Sequence, residues 1–391
     1  MVDTPEKTVA VVVGAGVAGL TLGNFLLRNG IGCVIVEKRS RDYVERRQRA
    51  GTIDSFGVRM FREWGFDEVL AGDPISEVAG GFFVDGEELP IELDEDDDNE
   101  SLFCPQQVLV RNLTEVFLRD GGDLRFEAAD VSLEDLDGER PLVRYRDTTG
   151  STKFVGCDFV AGCDGDRGVS REAIPADALT RHSHEYGYAW LSVLAAAPAH
   201  PSGMAIHSRG LAGLIPRGAN ASRLYLQCPL DDTLSRWPDE RIWSELDARF
   251  GTPVATGRIL DKKIVPLRSV VYSPMSYGRL YLLGDAAHIV PPMSAKGIHL
   301  ALHDAEVFAR AVIHHLQKDD SSLLDDYSST CLRHIWNYQA FATWITETMH
   351  NAGDASYEGE FRKQIARAEL RRQFTSPTAN RLFGELTAGV N

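Results

Sequence analysis

The sequence lacks long hydrophobic runs and has few cysteines. No stretch of its 391 residues approaches the roughly 18 consecutive apolar residues that a membrane-spanning helix needs, so we expect no membrane span. The six cysteines are scattered, and none forms a CxxC pair or stands at metal-ligand spacing from a histidine, which predicts free thiols and no metal. Residues 1–7 also lack the basic and apolar regions of a signal peptide. These absences predict a cytoplasmic protein.

Basic residues are outnumbered as well. The chain has 41 lysines and arginines against 57 acidic residues, a net charge of −16, which argues against nucleic acid or an anionic membrane as the main partner. The composition, 43% hydrophobic and 25% charged, is typical of a globular protein, and the length predicts more than one domain. An acidic segment, 94–100, predicts a solvated loop.

Residues 9–37 carry a dinucleotide-binding pattern. A strand at 9–13 leads into a glycine turn and a helix, and a second strand ends at Glu37. In such a unit Gly14 permits the tight turn, Gly16 lets the backbone approach a pyrophosphate, and Gly19 lets helix and strand pack closely. The helix N-terminus offers free N–H groups to phosphate, and Glu37 would accept hydrogen bonds from ribose hydroxyls. The pattern predicts a bound adenine dinucleotide.

Three further motifs indicate that this nucleotide is a flavin. A buried strand at 158–163 ends at Asp164, and a second one at 280–283 ends in Gly-Asp at Asp285. A proline-rich loop, 291–297, then opens a helix predicted to reach about His315. The dipole of that helix would face the pyrimidine edge of a reduced, anionic flavin.

These four motifs, in this order and together with the segment 237–243, resemble the single-component (group A) FAD-dependent aromatic hydroxylases, most closely the members that act on para-hydroxybenzoate. The resemblance implies an α/β fold, with a doubly wound, Rossmann-like FAD-binding domain of glutathione-reductase type, an inserted β-sheet substrate domain and a helical C-terminal region. The implied bounds are 1–75, 101–181 and 266–312 for the FAD domain, 76–100 and 182–265 for the sheet domain, and 313–391 for the helices, which in relatives often help to form a homodimer.

The resemblance also implies a reaction and its residues. NAD(P)H reduces FAD, and a flavin C4a-hydroperoxide formed with O₂ hydroxylates an electron-rich aromatic ring. The basic residues Lys38 and Arg39, which directly follow Glu37, favour NADPH as the reductant. The positions that match FAD contacts of the family, or adjoin them, are Gly14, Gly16, Gly19, Glu37, Lys38, Arg47, Arg49, Gln106, Asp164, Asp285, Pro292, Lys296, Gly297 and Ile298. The positions that match its pyridine-nucleotide contacts are Lys38, Arg39, Tyr43, Arg167, Arg171 and Arg268.

Catalytic roles are implied for three residues. The backbone carbonyl of Pro292 matches the family's carbonyl that lies over the attacked ring position. Arg223 and Arg47 match arginines that lie near the flavin ring and are associated with its swinging motion. His299 could act as a base for a phenol, since a histidine pKa lies near neutrality, or could be a helix residue bonded to flavin or backbone. The substrate pocket is predicted to contain Trp190, Met204, Ile215, Arg217, Tyr225, Pro292 and Met293.

The departures from the family pattern bear on the substrate. Arg217 and Tyr225 keep two of the groups that bind a benzoate carboxylate, whereas Ile215 replaces the third, a serine, and Met204 replaces a tyrosine that relays the phenol proton. The position of a second relay tyrosine of the family falls near Thr387, and no tyrosine occurs in this chain after Tyr357. These changes predict an indole-type or other apolar aromatic, because holding a phenol with a pKa near 10 as phenolate at pH 7 needs about 4 kcal/mol.

Two alternatives stay open: a hydroxylase of a phenol or hydroxybenzoate, and a non-catalytic flavoprotein sensor or scaffold. The sequence also leaves open whether Arg217 meets a carboxylate in the pocket or turns to solvent.

Overall fold

A computed structural model describes residues 5–47, 51–74, 80–89, 100–350 and 357–389. Most of the strands belong to two sheets. The strands are β1 Glu6–Val13, β2 Cys33–Val36, β3 Asp73–Pro74, β4 Gly81–Val84, β5 Glu87–Leu89, β6 Leu102–Phe103, β7 Asp123–Arg125, β8 Ala129–Glu134, β9 Leu142–Arg146, β10 Thr152–Gly162, β11 Thr180–Ala196, β12 Gly203–Ile206, β13 Ala212–Pro216, β14 Ser222–Pro229, β15 Arg258–Ser273, β16 Ser276–Tyr277, β17 Leu280–Leu282 and β18 His288–Ile289.

Helices cover the first sheet and form the C-terminal region. They are α1 Val17–Arg28, α2 Arg41–Arg46, α3 Ser55–Glu63, α4 Gln106–Arg119, α5 Asp239–Phe250, α6 Gly297–Lys318, α7 Ser322–Asp325, α8 Tyr327–Met349, α9 Tyr357–Thr375 and α10 Pro377–Ala388. No helix within the described residues is long and apolar enough to cross a membrane.

The first sheet is the predicted nucleotide-binding sheet. Its main path runs β16-β17-β10-β1-β2-β7, and β1 pairs in parallel with both β2 and β10. The apolar runs of β1 and β2 are buried, as parallel strands covered by helices on both faces must be. Helix α1 packs against α4 and α6.

The second sheet runs β18-β15-β11-β14-β13-β12-β4-β5. Its side chains alternate between two faces, as strand geometry requires. One face joins a core with Trp237 and the apolar residues of α5, and the other packs into the core of the nucleotide domain. Because the inner face looks towards the cofactor domain, its side chains are the ones that can line a site between the two sheets.

The architecture confirms the predicted fold class, but three of the predicted domain bounds fall within continuous elements. The bound at 265/266 lies inside β15, which belongs to the second sheet, and the bound at 312/313 lies inside α6. Strand β11 likewise begins two residues before the predicted sheet domain. Of the acidic segment 94–100, all but the last residue lies outside the described residues.

Candidate functional site

The first glycine turn has room for a ligand only on one side. Gly14 has φ +107°, and a Cβ there would stand 2.4 Å from the Cys163 carbonyl oxygen. A Cβ on Gly19 would stand 2.0 Å from the Gly14 carbonyl oxygen, whereas one on Gly16 would meet nothing within 4 Å. The cap of α1 receives no side-chain hydrogen bond, and its first turn has no acid. The turn therefore presents bare N–H groups and open space, which fits a phosphate.

Glu37 stands beside this turn. Its carboxylate accepts hydrogen bonds from the backbone N–H groups of Ala15, at 2.8 Å, and of Arg39, at 2.7 Å. The predicted ribose acceptor is therefore held at the end of β2, next to the turn. Gln106 begins α4, where its N–H lies 2.5 Å from the Cβ that Gly51 lacks. Arg47 is exposed at the end of α2, and Arg49 lies outside the described residues.

Asp164 supplies a buried acceptor at the end of β10. One carboxylate oxygen accepts hydrogen bonds from the Ser170 N–H, at 2.9 Å, and from its hydroxyl, at 3.0 Å. The other oxygen is buried and has no hydrogen-bond partner within the described part of the chain. Burial raises the pKa of this carboxyl. A buried acceptor left unpaired is costly, and a hydroxyl-bearing ligand would satisfy it. Asp285 lies in the turn after Gly284, whose φ is +60°.

The loop 291–297 presents the N-terminus of a long helix. Ala295 has φ +54°, an uncommon conformation for a residue with a Cβ, and α6 then begins at Gly297 without a side-chain cap or an acid in its first turn. Pro292 and Gly297 are exposed, whereas Ile298 is buried and Met293 half-buried. These bare N–H groups fit an anionic ring edge. The glycine turns, the orphaned acceptor and this helix end together fit FAD.

Lys296 does not extend towards solvent. Its side chain is 2% exposed, and its ammonium donates to the Asp54 carboxylate and to the Thr387 carbonyl, each at 2.6 Å. His299 also approaches Asp54, with 2.9 Å between Nδ1 and Oδ2. Burial alone would raise the pKa of Asp54, but His299 and Lys296 reverse this and hold it well below its usual range. The sequence prediction missed Asp54, which lies 242 residues from Lys296.

His299 has a further buried partner. Its Nε2 lies 2.7 Å from Nε2 of His334 on α8, and the rings of His334 and His303 stack with 3.7 Å between centroids. Burial lowers the pKa of His299 and, together with the neighbouring histidines, lowers that of His334 to about 2. His299 thus contacts Asp54 and His334 rather than an open cavity, an arrangement that does not favour a base acting directly on substrate.

The predicted substrate residues of the second sheet share its inner face. Met204 pairs with Gly213, which pairs with Tyr225, and Ile215 pairs with Arg223. The Sδ of Met204 lies 2.7 Å from the Cβ position that Gly213 lacks, so the thioether fills this gap. We call Trp190, Met204, Ile215, Arg217, Arg223 and Tyr225 the substrate face.

Arg217 turns inward. Its guanidinium is half-buried, lies 4.6 Å from the centre of the Phe103 ring and donates to the Pro216 carbonyl. Burial lowers its pKa, while Tyr225 and a hydrogen bond to it oppose that shift. Within the described residues no carboxylate lies within ion-pair distance of this guanidinium. A half-buried cation without an acid favours an anionic ligand.

The Trp190 side chain is held in place by His350, the residue that follows α8. Its Nε1 donates to Nε2 of His350 at 2.6 Å, and its ring lies 4.6 Å from that of Tyr225. Nδ1 of His350 lies 2.7 Å from the Thr346 carbonyl, and burial lowers the pKa of His350 to about 3. This neutral histidine fixes the indole ring. Sequence reasoning missed it because the two residues are 160 positions apart.

The predicted pyridine-nucleotide residues fall into two groups. Lys38 and Arg39 are exposed, and the Arg39 guanidinium lies 5.0 Å from the centre of the Tyr43 ring. In the second group, Arg268 pairs with the side-chain carboxylate of Asp166. Arg171 donates to the backbone carbonyl of Asp166 and, at 2.9 Å, to that of Ala286. Arg167, which follows Asp166, is exposed.

One thiol lies close to a histidine in space although not in sequence. The ligand atoms of His303, Asp304 and Cys331 lie within 4.8 Å of one another. Asp304 is already bonded to the Gly284 N–H at 2.9 Å and to His288 at 2.7 Å. We assign no metal to this group, because one oxygen of its carboxylate already binds the turn at Gly284 and the imidazole of His288.

Comparison with known proteins agrees with this geometry. The family model described as "FAD binding domain" matches residues 6–342. The chain is 35% identical over 377 residues to p-hydroxybenzoate hydroxylase of Acinetobacter baylyi, covering 93% of this chain and 91% of that protein. It is 26% identical over 354 residues to violacein synthase of Chromobacterium violaceum, covering 80% and 79%.

Solved structures share the fold. p-Nitrophenol 4-monooxygenase from Pseudomonas putida superposes with a TM-score of 0.80 at 17% identity, covering 98% of this chain and 99% of that one. The relatives named as hydroxylases and monooxygenases support an enzyme rather than the non-catalytic flavoprotein considered above. The chain belongs to the FAD-binding-domain family and, within it, to the single-component FAD-dependent aromatic monooxygenases.

Proposed function

We propose that this enzyme hydroxylates an apolar, indole-type aromatic that bears a carboxylate, with NADPH as reductant. The observation that carries the proposal is Arg217, a half-buried guanidinium that has no acid within ion-pair distance among the described residues and shares the substrate face with Met204, Ile215 and Tyr225. It would pair with the substrate carboxylate, and Tyr225 would support it, since the two side chains already interact.

The ring would bind against apolar and aromatic side chains. Trp190 is buried against Tyr225 and held by His350, so it would support the pocket wall from behind, and Met204 and Ile215 would add apolar surface. Where a phenol would need hydroxyl partners, the thioether of Met204 offers only a weak acceptor. An indole needs no deprotonation, because its nitrogen lone pair already makes C3 nucleophilic.

FAD supplies the reduction and oxygen chemistry when it is bound. The residues of this chain bind, orient and exclude water. The turn of Gly14, Gly16 and Gly19 would hold the pyrophosphate, Glu37 the adenosine ribose, and Asp164 and Asp285 hydroxyls of the chain between phosphate and ring. The N-terminus of α6 would face the pyrimidine edge, and the Pro292 carbonyl would lie over the attacked carbon. Arg47, Arg223 and Gln106 would adjoin the flavin.

Lys38 and Arg39 would bind the extra phosphate of NADPH, and Arg167, Arg171 and Arg268 the rest of the nucleotide. We also propose a cytoplasmic location and a homodimer formed by the helical region. The domain bounds given above are proposed with the correction that β11, β15 and α6 each continue through one of them.

A substrate panel tests the proposal. Purified holoenzyme is given NADPH and, separately, indole carboxylic acids, neutral indoles, phenols and para-hydroxybenzoate, and both NADPH oxidation and hydroxylated product are measured. We expect coupled turnover to be highest with an indole carboxylic acid. Coupled turnover of para-hydroxybenzoate above that of every indole would refute the preference argued from Met204 and Ile215.

A second candidate is a hydroxybenzoate hydroxylase. Arg217 and Tyr225 favour it, as does the 35% identity to p-hydroxybenzoate hydroxylase. The same panel separates the two, because this candidate predicts turnover of para-hydroxybenzoate and little effect of the indoles.

A further inference from the structure

Helix α10 lies against the edge of the substrate face. In the second sheet Met204 pairs in register with Phe82 of β4, so the two side chains share one face and both join the core of the nucleotide domain. The ring of Phe82 meets that of Phe383 on α10 edge-on, with 6.4 Å between the ring centroids. Phe383 is buried and also meets Phe341 of α8, at 6.0 Å. The middle of α10 is therefore fixed beside the row that contains Met204.

The far end of α10 is bound to the loop that is proposed to hold the flavin. The Lys296 ammonium donates to the Thr387 carbonyl and to the Asp54 carboxylate, each at 2.6 Å. A cation at the last carbonyls of a helix also complements its dipole. Gly389 then ends α10 with φ +82°, and a Cβ there would stand 2.8 Å from Oδ2 of Asp54. We call Lys296, Asp54, the Thr387 carbonyl and Gly389 the α10 anchor.

The α10 anchor joins three elements through one buried ion pair. The side chain of Lys296 is 2% exposed and that of Asp54 is 3% exposed, so neither is available to solvent. The other oxygen of Asp54 accepts a hydrogen bond from the Gly57 N–H at 3.2 Å and so caps α3. Removing one member of a buried pair leaves the other uncompensated, which is strongly unfavourable. Because Lys296 directly precedes α6, the position of α10 is tied to that of the loop 291–297.

The two attachments of α10 lie on opposite sides of the proposed reaction. Phe383 is fixed beside the substrate face, and Thr387 is fixed to the flavin loop. A hydroxylase must exclude water from the space between these two surfaces. If water enters, NADPH and a proton reduce O₂ to H₂O₂ and the aromatic ring is not hydroxylated. An element that touches both surfaces is therefore well placed to control this loss.

We propose that α10 forms the third wall of the substrate pocket, between the substrate face and the flavin loop, and that Lys296 is the positioning residue that holds this wall through the Thr387 carbonyl. Lys296 itself is assigned no contact with substrate. This inference rests on the proposed function, because such a wall matters to an enzyme that hydroxylates a ring beside the substrate face.

Hydrogen exchange of the full chain tests the anchoring without any substrate. Mass spectrometry follows the amides of residues 378–388 in wild type, Lys296→Met and Gly389→Ala, with and without FAD. Gly389→Ala leaves the ion pair intact and drives its methyl group against Asp54, so it gives an answer even if Lys296→Met does not fold. We expect exchange in α10 to become at least about tenfold faster in both variants, the effect of losing a hydrogen bond from a charged donor.

Lys262→Met is the matched control. Lys262 also binds one carboxylate and one backbone carbonyl, those of Asp239 at 3.1 Å and Trp237 at 2.9 Å, but it does so beside α5 on the other side of the second sheet. This variant should leave exchange in α10 unchanged. Unchanged exchange in α10 in both Lys296→Met and Gly389→Ala would overturn the proposal.

Coupling tests the wall itself. With the aromatic that wild type hydroxylates best, H₂O₂ and hydroxylated product are measured per NADPH oxidised. We expect Lys296→Met and Gly389→Ala to release roughly threefold more H₂O₂ per NADPH or more, and Lys262→Met to match wild type. An ion pair that only stabilises the fold would leave this ratio unchanged, so wild-type coupling in a variant whose α10 exchanges faster contradicts the wall. Absence of turnover with every aromatic in wild type would instead refute the proposed function.

Discussion

Two neighbouring glycines should respond in opposite ways to the same small substitution. Gly16→Ala adds a methyl group that meets no protein atom within 4 Å, whereas Gly19→Ala adds one 2.0 Å from the Gly14 carbonyl oxygen. Gly16 has φ −84°, which alanine adopts easily. We therefore expect Gly16→Ala to impair FAD binding while the fold stays intact.

The magnitudes separate the two variants. For Gly16→Ala, the gain from a less flexible unfolded chain and the loss of a good cap residue leave stability within about 1 kcal/mol of wild type. Losing one or two hydrogen bonds from N–H to phosphate costs about 2–4 kcal/mol, or roughly a 30- to 1,000-fold weaker FAD affinity. Gly19→Ala forces α1 away from the turn, at a cost of about 1–3 kcal/mol or more in stability.

The assay uses apoprotein. Urea unfolding followed by circular dichroism gives the stability, and titration with FAD followed by flavin fluorescence gives the affinity. Wild-type FAD affinity in Gly16→Ala would show that no pyrophosphate approaches this turn, and would refute the placement of the cofactor. A strongly destabilised Gly16→Ala would refute the geometric reasoning.

The remaining predictions concern stability and cofactor choice. Burial alone would raise the pKa of Asp304, but His288 reverses this and lowers it; its contribution to stability is therefore present above the unfolded pKa of about 3.9 and lost as the pH falls below it. Asp304→Asn should thus lower the free energy of unfolding by about 3–5 kcal/mol at pH 7 and flatten its acid-side decline, as measured by urea unfolding at several pH values. Lys38→Ala and Arg39→Ala should each raise KM for NADPH roughly tenfold or more and leave KM for NADH unchanged, with equal effects on both nucleotides contradicting the phosphate contact. Phe383→Ala, which removes a buried ring packed edge-on against Phe82 and Phe341, should cost about 3–5 kcal/mol in urea unfolding; a loss below 1 kcal/mol would mean that α10 is not anchored there.

The local motifs were predictable from sequence because each depends on neighbouring residues. The glycine turn before α1, the acid that ends β10 and the start of α6 all lie where the spacing of apolar runs and glycines predicts them. The sharing of β15 between domains was not predictable, since a strand that crosses a domain bound has no local signal. The family resemblance alone matched Met204 and Tyr225 to substrate-binding positions. The strand register of the structure shows that both lie opposite Gly213 in neighbouring strands.

The contacts that sequence reasoning missed join distant positions. Asp54 meets Lys296, Trp190 meets His350, and His299 meets His334, all through packing of elements that are far apart in the chain. Polar residues at a helix N-cap or on a buried helix face are common, so nothing in their sequence neighbourhood marks them. Three histidines at 299, 303 and 334 on two buried helices were the one available signal.

The central claim is that Arg217 binds a carboxylate on the substrate. The most direct measurement compares kcat/KM for the preferred aromatic acid and for its neutral amide in wild type, in Arg217→Met and in Arg209→Met, which alters an arginine paired with Glu245 of α5. We predict that wild type and Arg209→Met favour the acid at least about 30-fold, the effect of a charge pair of some 2 kcal/mol, and that Arg217→Met loses this preference. Equal kcat/KM for acid and amide in wild type would contradict the account.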